Sequence, residues 1–466
     1  MSDEVRREPE MDPELSDDAL LQGEADAVYA ELLSRVGEAT PRPRLEPTRR
    51  AAELLGDPHR ATPVIHVAGT NGKTSTSRII DSLLRAHGLR TGLLTSPHLS
   101  RVNERILIDG QPISNEAFIH NWRDIRPYLQ LTDAQLESEG EAPLTYFEAF
   151  TLLAFASFAD APVDVVVLET GMGGEWDSTN IADAAVAVIT PIALDHMHRL
   201  GSTIQEIART KAGIIKPQSI VVSARQEPVA FAELASRADA VGATLVPQGD
   251  DFDVASTTMA VGGQLVSIRG RAASYDDVFL PLYGSHQAQN AAVAVAAVES
   301  FLGGGAQAVV SDVLEQGLAE ATSPGRLELV GIEPTVIVDA AHNPQGAQAL
   351  TAAMSEYFDF DEVALVLGVL EDKDAEGIVD ALAPLAARIY VTQSTSDRAV
   401  ASDDLAYIVR NAIGSDATWE YETLVEAAEA ARSWAGEAPK RAVVVTGSIT
   451  LVGEAIDLAS AEGWKP

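Results

Sequence analysis

Ten residues carry the first chemical signal in this chain: His66-Val-Ala-Gly69-Thr70-Asn71-Gly72-Lys73-Thr74-Ser75. An apolar run, Pro63 to Ala68, precedes them, and a stretch of helical periodicity from Lys73 to His87 follows. Glycines between a strand and a helix let backbone N–H groups turn inward. The helix N-terminus adds positive potential, and a lysine adds a mobile charge. That is a cradle for phosphate. The generic phosphate-loop pattern has an earlier glycine where Val67 stands, so the loop here is a shorter form. A glycine-rich turn by itself is often only a turn; strand, loop, lysine and helix together favour nucleotide binding.

Other candidates lie at strand ends. Glu169 closes the apolar run Val163 to Leu168, and Asp195-His196 follow the run Ala185 to Ile189. In open α/β sheets the carboxyl ends of strands face the ligand crevice. Carboxylate oxygens, water and phosphate are a ligand set that suits Mg²⁺. A lone histidine after a strand is ordinarily structural, but beside Glu169 and a phosphate loop it becomes a candidate ligand. Two of only six lysines, Lys211 and Lys216, flank Ala-Gly-Ile-Ile. Lys211 is either an ordinary cation near a helix C-terminus or a functional amine.

The elements that must position these groups alternate between strand and helix. Further strands are expected at Thr91–Leu94 and Ile220–Val222, with helices over 147–158 and 204–215. This pattern predicts an α/β fold, a P-loop-type ATPase domain with a mostly parallel sheet. Hairpins are expected between Asp251 and Tyr283, then a small-residue helix over 287–302. From Pro324 a second alternating series begins, with strands near 326–330, 335–338, 363–367, 387–391 and 442–445. Helices fit at 345–357, 375–385, 403–413 and 424–434. We therefore expect an acidic disordered tail over 1–20, one domain over 21–323, and a smaller C-terminal Rossmann-like α/β domain over 324–466.

Composition bounds the function. The chain has 466 residues, no cysteine, and a formal net charge of −36 from 69 acidic and 33 basic residues. Cysteine-based nucleophiles, metal sites and disulfides are excluded. The acidic field disfavours nucleic acid and anionic membranes as partners, so an anionic substrate needs a locally basic site. No secretory signal or membrane span is legible, and a cytoplasmic, monomeric protein is expected.

The motif Gly69-Thr-Asn-Gly72-Lys73-Thr74 is similar to the nucleotide loop of the Mur ligase superfamily. Thr95-Ser96-Pro-His-Leu99, Leu168-Glu169-Thr-Gly-Met-Gly-Gly174 and Asp195-His196 through Lys211-Ala-Gly-Ile-Ile-Lys216 resemble its folylpolyglutamate synthases. So do His286-Gln-Ala-Gln-Asn290, Pro324-Gly325-Arg326 and Asp339-Ala-Ala-His342-Asn343-Pro344. The resemblance implies an ATP-dependent ligase that adds L-glutamate to folates, tetrahydrofolate above all, and also to dihydropteroate if it is bifunctional. The route it implies is an acyl phosphate attacked by an amine.

Carried over residue by residue, Gly69, Thr70, Asn71, Gly72, Lys73, Thr74, Ser75, Asn290, Arg326, Asp339 and His342 hold ATP. Ser96, Glu169, His196 and a carbamylated Lys211 hold Mg²⁺, two ions in all, and Lys73, Lys211 and His196 are the catalytic set. Thr145, Phe147 and Asp177 face the folate. Thr145 and Phe147 read equally well as a helix cap and a core ring, and Asp339 with His342 as a turn capping the next helix. Two departures stand out: Glu175 where the family has arginine, and Thr210 where it usually has glutamate. The rival readings are a peptidoglycan-type Mur ligase and a noncatalytic nucleotide-binding module. Only some 65 residues precede the phosphate loop, too few for the extra N-terminal domain of the first.

Overall fold

The computed structural model describes residues 13–37 and 42–464. Its first sheet has eight strands: β1 (Val64–Ala68), β2 (Thr91–Leu94), β3 (Ile106–Ile108), β4 (Gln111–Pro112), β5 (Val165–Glu169), β6 (Val186–Ile189), β7 (Ile220–Ser223) and β8 (Thr244–Pro247). Their spatial order is β4-β3-β2-β5-β1-β6-β7-β8. The six strands from β2 to β8 in that order pair in parallel, and only the β2–β3–β4 edge is antiparallel. All residues of β1 and β5 are buried, as apolar strands covered on both faces must be. With β1 between β5 and β6, the phosphate loop, Glu169 and the segment after Ile189 emerge side by side at one sheet edge.

Helices cover both faces. One layer holds the phosphate helix, Lys73–Ala86, and the helix Ser285–Gly303, whose apolar positions join one core cluster. The other holds Pro13–Leu33, Asn115–Ser138 and Tyr146–Asp160. The Ser285–Gly303 helix is buried nearly all round because a small antiparallel sheet lies beyond it. That sheet is β9 (Asp253–Ala260), β10 (Gly263–Arg269) and β11 (Ser274–Leu280), the hairpins expected there.

The third sheet comprises β12 (Glu328–Gly331), β13 (Thr335–Asp339), β14 (Glu362–Leu367), β15 (Arg388–Val391), β16 (Thr418–Glu420) and β17 (Arg441–Thr446). Its order is β12-β13-β17-β14-β15-β16, parallel except for β12. Separate clusters cover its two faces.

One expectation needs correction. The first helix spans Pro13–Leu33, so 13–20 is helical rather than part of the disordered tail expected over 1–20; proline's fixed φ suits a first turn, where no backbone N–H is needed. The expected tail over 1–12 lies outside the described residues. The short strands β3, β4, β8 and β16 carry too few residues for a periodic signal, and pattern alone did not mark them.

Candidate active site

A cleft of about 880 Å³ runs between the first and third sheets. The phosphate loop Thr70–Ser75 forms its floor, with Ser96, Glu169 and His196 from the first sheet and Arg326, Asp339, His342 and Lys373 from the third. The glycines are required here. Gly69 has φ +152°, and a Cβ on it would lie 1.8 Å from Thr190 Oγ1; Gly72 caps the phosphate helix at φ +83°.

Glu169 is wholly buried, and burial raises its carboxyl above the usual range, with Lys73 pulling the other way. Its Oε1 accepts from the Thr74 hydroxyl at 2.8 Å, and its Oε2 faces the Ser96 N–H at 3.4 Å. Lys73 bonds back to Thr70 O at 3.2 Å, and burial lowers its ammonium. The structure thus brings Lys73, Thr74, Ser96 and Glu169 together.

His196 lies in the same cleft but among other partners. Its Nε2 is 4.0 Å from Asp195 Oδ1, and its Nδ1 is 3.9 Å from Asp372. Burial and Lys373 lower its imidazole to about 3, so it is neutral and available as a ligand. Lys211 ends a helix begun by the Thr203/Glu206 capping box. Its amine is buried and donates to Gly69 O at 2.6 Å; burial, with Lys73 adding to it, lowers it to about 7. Lys211, Asp195, His196, Lys73 and His342 line a second, small cavity. Among the described residues, no three His, Asp or Glu side chains cluster at metal-binding spacing.

Several predicted residues have local partners. Asp339 accepts from the N–H groups of Leu327 and Ala341 at 3.0 and 2.9 Å, and Thr145 caps the helix Tyr146–Asp160. Both still line the cleft, as do Phe147 and Asp177. The Phe147 ring stands where a Cβ on Gly171 would meet it at 2.7 Å. Asp177 accepts from Met172 N and Thr179 N. Asn290 bonds Gln287, which reaches Ser75 at 3.3 Å. Glu175 is exposed and does not line the cleft. Thr210 bonds its own helix at Glu206 O.

Sequence reasoning marked Asp195 as a strand-end candidate but gave it no role, and it gave none to Asn343, Asp372 or Lys373. Lys373 Nζ is 2.7 Å from Asp195 Oδ1, His342 Nε2 is 3.7 Å from Asp195 Oδ2, and Asn343 Nδ2 is 3.3 Å from that same oxygen. Burial alone would raise Asp195, but Lys373, His196 and His342 hold it below the usual carboxylate range. The adjacent Asp195-His196 and Asp372-Lys373-Asp374 strings were the available signal.

Residues 67–298 match the Mur ligase middle domain, and residues 325–449 match the Mur ligase glutamate ligase domain. The chain is 43% identical over 440 residues to a dihydrofolate synthase/folylpolyglutamate synthase of Mycobacterium tuberculosis, covering 89% of this chain and 90% of that protein.

The chain belongs to the dihydrofolate synthase/folylpolyglutamate synthase family of Mur ligases.

A solved M. tuberculosis folylpolyglutamate synthase complexed with ADP superposes with a TM-score of 0.90 at 41% identity, covering 94% of this chain and 99% of that one. The E. coli FolC protein in complex with DHPP and ADP gives 0.81 at 32% identity, covering 94% and 98%. A folylpolyglutamate synthase fold therefore places the two sheets around the cleft. Among the described residues, no helix is long and apolar enough to cross a membrane.

Proposed function

We propose that this chain is an ATP-dependent ligase that joins L-glutamate to folates. The observation that carries the reading is a single cleft in which Lys73 and Glu169 of one sheet face Arg326, His342 and Lys373 of another, in a family whose members include an ADP-bound folylpolyglutamate synthase. In the proposed division of labour, residues 21–323 bind ATP and folate. Residues 324–466 supply the nucleotide's second wall and the glutamate side.

The phosphate loop and Lys73 hold the ATP phosphates, and Arg326 neutralises charge from the opposite wall. A folate carboxylate oxygen attacks the γ-phosphorus, forming an acyl phosphate and releasing ADP. The amine of L-glutamate then attacks the acyl carbon, the C–O bond to phosphate breaks, and the amine proton is lost as the amide forms. The departing phosphate can take that proton, and neutral His196 stays free to ligate a cation. Excluding water from the cleft protects the acyl phosphate from hydrolysis.

The donor set fits Mg²⁺: a buried carboxylate at Glu169, with the Thr74 hydroxyl against it and Ser96 beside it, leaves room for phosphate and water ligands. In this reading Glu169, Ser96 and His196 would hold one ion, and Lys211, as a carbamate, would hold a second. Bound there, the ions supply charge neutralisation of the transferred phosphoryl group. The buried, easily deprotonated Lys211 amine supports capture of CO₂. Thr145, Phe147 and Asp177 face the pterin, an aromatic wall with polar groups. Dihydropteroate is the proposed second acceptor.

Mass spectrometry of products tests the reading, with ATP, Mg²⁺, L-glutamate and either tetrahydrofolate or dihydropteroate. One glutamate added to both establishes a bifunctional ligase; addition to tetrahydrofolate alone removes the dihydropteroate step; addition to neither rejects the proposal.

A further inference from the structure

The segment 96–101 spans from the first sheet's site into the core of the third sheet. At one end the Ser96 N–H faces Glu169. Three residues on, Leu99 packs against the cluster that includes Leu451, Val452 and Ala455. The Leu99 carbonyl oxygen lies 2.2 Å from where a Cβ on Gly453 would stand. Its side chain lies 3.2 Å from where a Cβ on Gly325 would stand. Gly453 is buried inside the helix Ile449–Ala461, and Gly325 immediately precedes Arg326. Glycine within a helix costs roughly 1 kcal/mol against alanine, so close backbone approach is the physical reason for Gly453.

The segment is also stiff. The Glu104 carboxylate accepts from the N–H groups of Leu99 at 2.8 Å, Ser100 at 3.2 Å and Arg101 at 2.8 Å. Ser100 Oγ donates to Asp457 Oδ1 at 2.7 Å, on the same helix as Gly453. On the near side Arg105 Nε donates to His98 Nδ1 at 2.8 Å and Thr95 N–H to Arg105 O at 2.9 Å, so a displacement at Leu99 is passed along to Ser96 rather than absorbed between them.

We infer that Leu99 is a positioning residue: seated on Gly453 and Gly325, it sets where Ser96 stands against Glu169 and where Arg326 enters the cleft. The phosphate end of the cleft is then complete only when the C-terminal domain is docked. This inference rests on the ligase reading above.

The test uses the full chain with Leu99→Ala, Leu99→Met and Gly453→Ala. Ligation kinetics are measured beside amide hydrogen exchange over 96–101 and thermal melting. Misplacement by about an ångström can cost on the order of 10²-fold in rate, so Leu99→Ala should lower kcat at least tenfold (roughly) while the KM for glutamate stays near wild type. Exchange over 96–101 should quicken. Leu99→Met should restore both, and Gly453→Ala should reproduce the kcat loss. A Leu99→Ala protein that melts earlier yet keeps wild-type kcat and loop exchange overturns the inference. Failure of the wild-type chain to ligate would instead reject the ligase reading, and loop exchange alone would then decide the role of Leu99.

Discussion

The Lys373 ammonium stands 2.7 Å from Asp195 Oδ1, and the two side chains are only 7% and 8% exposed. One lies after β14 and the other after β6, so the pair ties the two sheets across the cleft. Removing one member of a buried pair leaves the other charge uncompensated and costs about 3–5 kcal/mol. Lys373→Met should therefore lower the denaturant midpoint, and adding Asp195→Asn should recover part of the loss. Because the folded Asp195 value is depressed, its contribution is present above the unfolded carboxylate value and is lost as pH falls through the folded one. The cost of Lys373→Met should shrink accordingly in acid.

Lys211 gives the same sign in a more alkaline window, as a burial cost relieved by loss of the proton. Its folded value is lowered to about 7, while an unfolded lysine titrates near roughly 10.4. Between those values the unfolded chain holds more protons, so stability contributed through this group rises with pH. Lys211→Met should flatten that rise in denaturation curves across the window. It should also abolish any carbamate resonance after incubation with carbon-13 bicarbonate, and reduce ligation on the order of 10²-fold. A persistent resonance would remove Lys211 as the carbamate.

Gly69→Ala is expected to fail at the phosphate loop itself. The added Cβ would collide with Thr190 Oγ1, at a φ of +152° that side chains rarely adopt. Strain of this kind costs about 1–3 kcal/mol. Calorimetric titration with ADP should show the greater loss, in affinity.

Ser75 on the phosphate helix shares a hydrogen bond of 2.8 Å with Ser323, at the junction leading to Arg326. Both hydroxyls are buried. A double-mutant cycle with Ser75→Ala and Ser323→Ala should give a coupling of about 0.5–1.5 kcal/mol. Zero coupling in ADP affinity would mean that the bond does not link the loop to the second sheet.

The phosphate loop was legible because strand, glycines, lysine and helix are contiguous, and each carries its own backbone requirement. Glu169 and Asp195-His196 were legible as strand ends, since apolar runs mark where a buried strand stops. Roles at Thr145 and Asp339 stayed divided in the sequence. In the structure Thr145 both caps its helix and lines the cleft, whereas Asp339 holds the turn at Leu327 and Ala341, lines the cleft, and leaves the cap of the next helix to Asn343.

The Lys373–Asp195 and Ser75–Ser323 bonds join residues 178 and 248 positions apart, and Leu99 meets Gly453 across a wider gap still. No local pattern encodes such pairs. Periodicity and turn chemistry by themselves determined which segments form strands and helices, and which ends carry polar groups. They act over a few residues, through backbone geometry and burial of one face. Sheet order and the docking of the third sheet on the first depend on how whole faces fit. Only the tertiary structure decided that Asp195 is held by three C-terminal side chains and that Leu99 spans the domains.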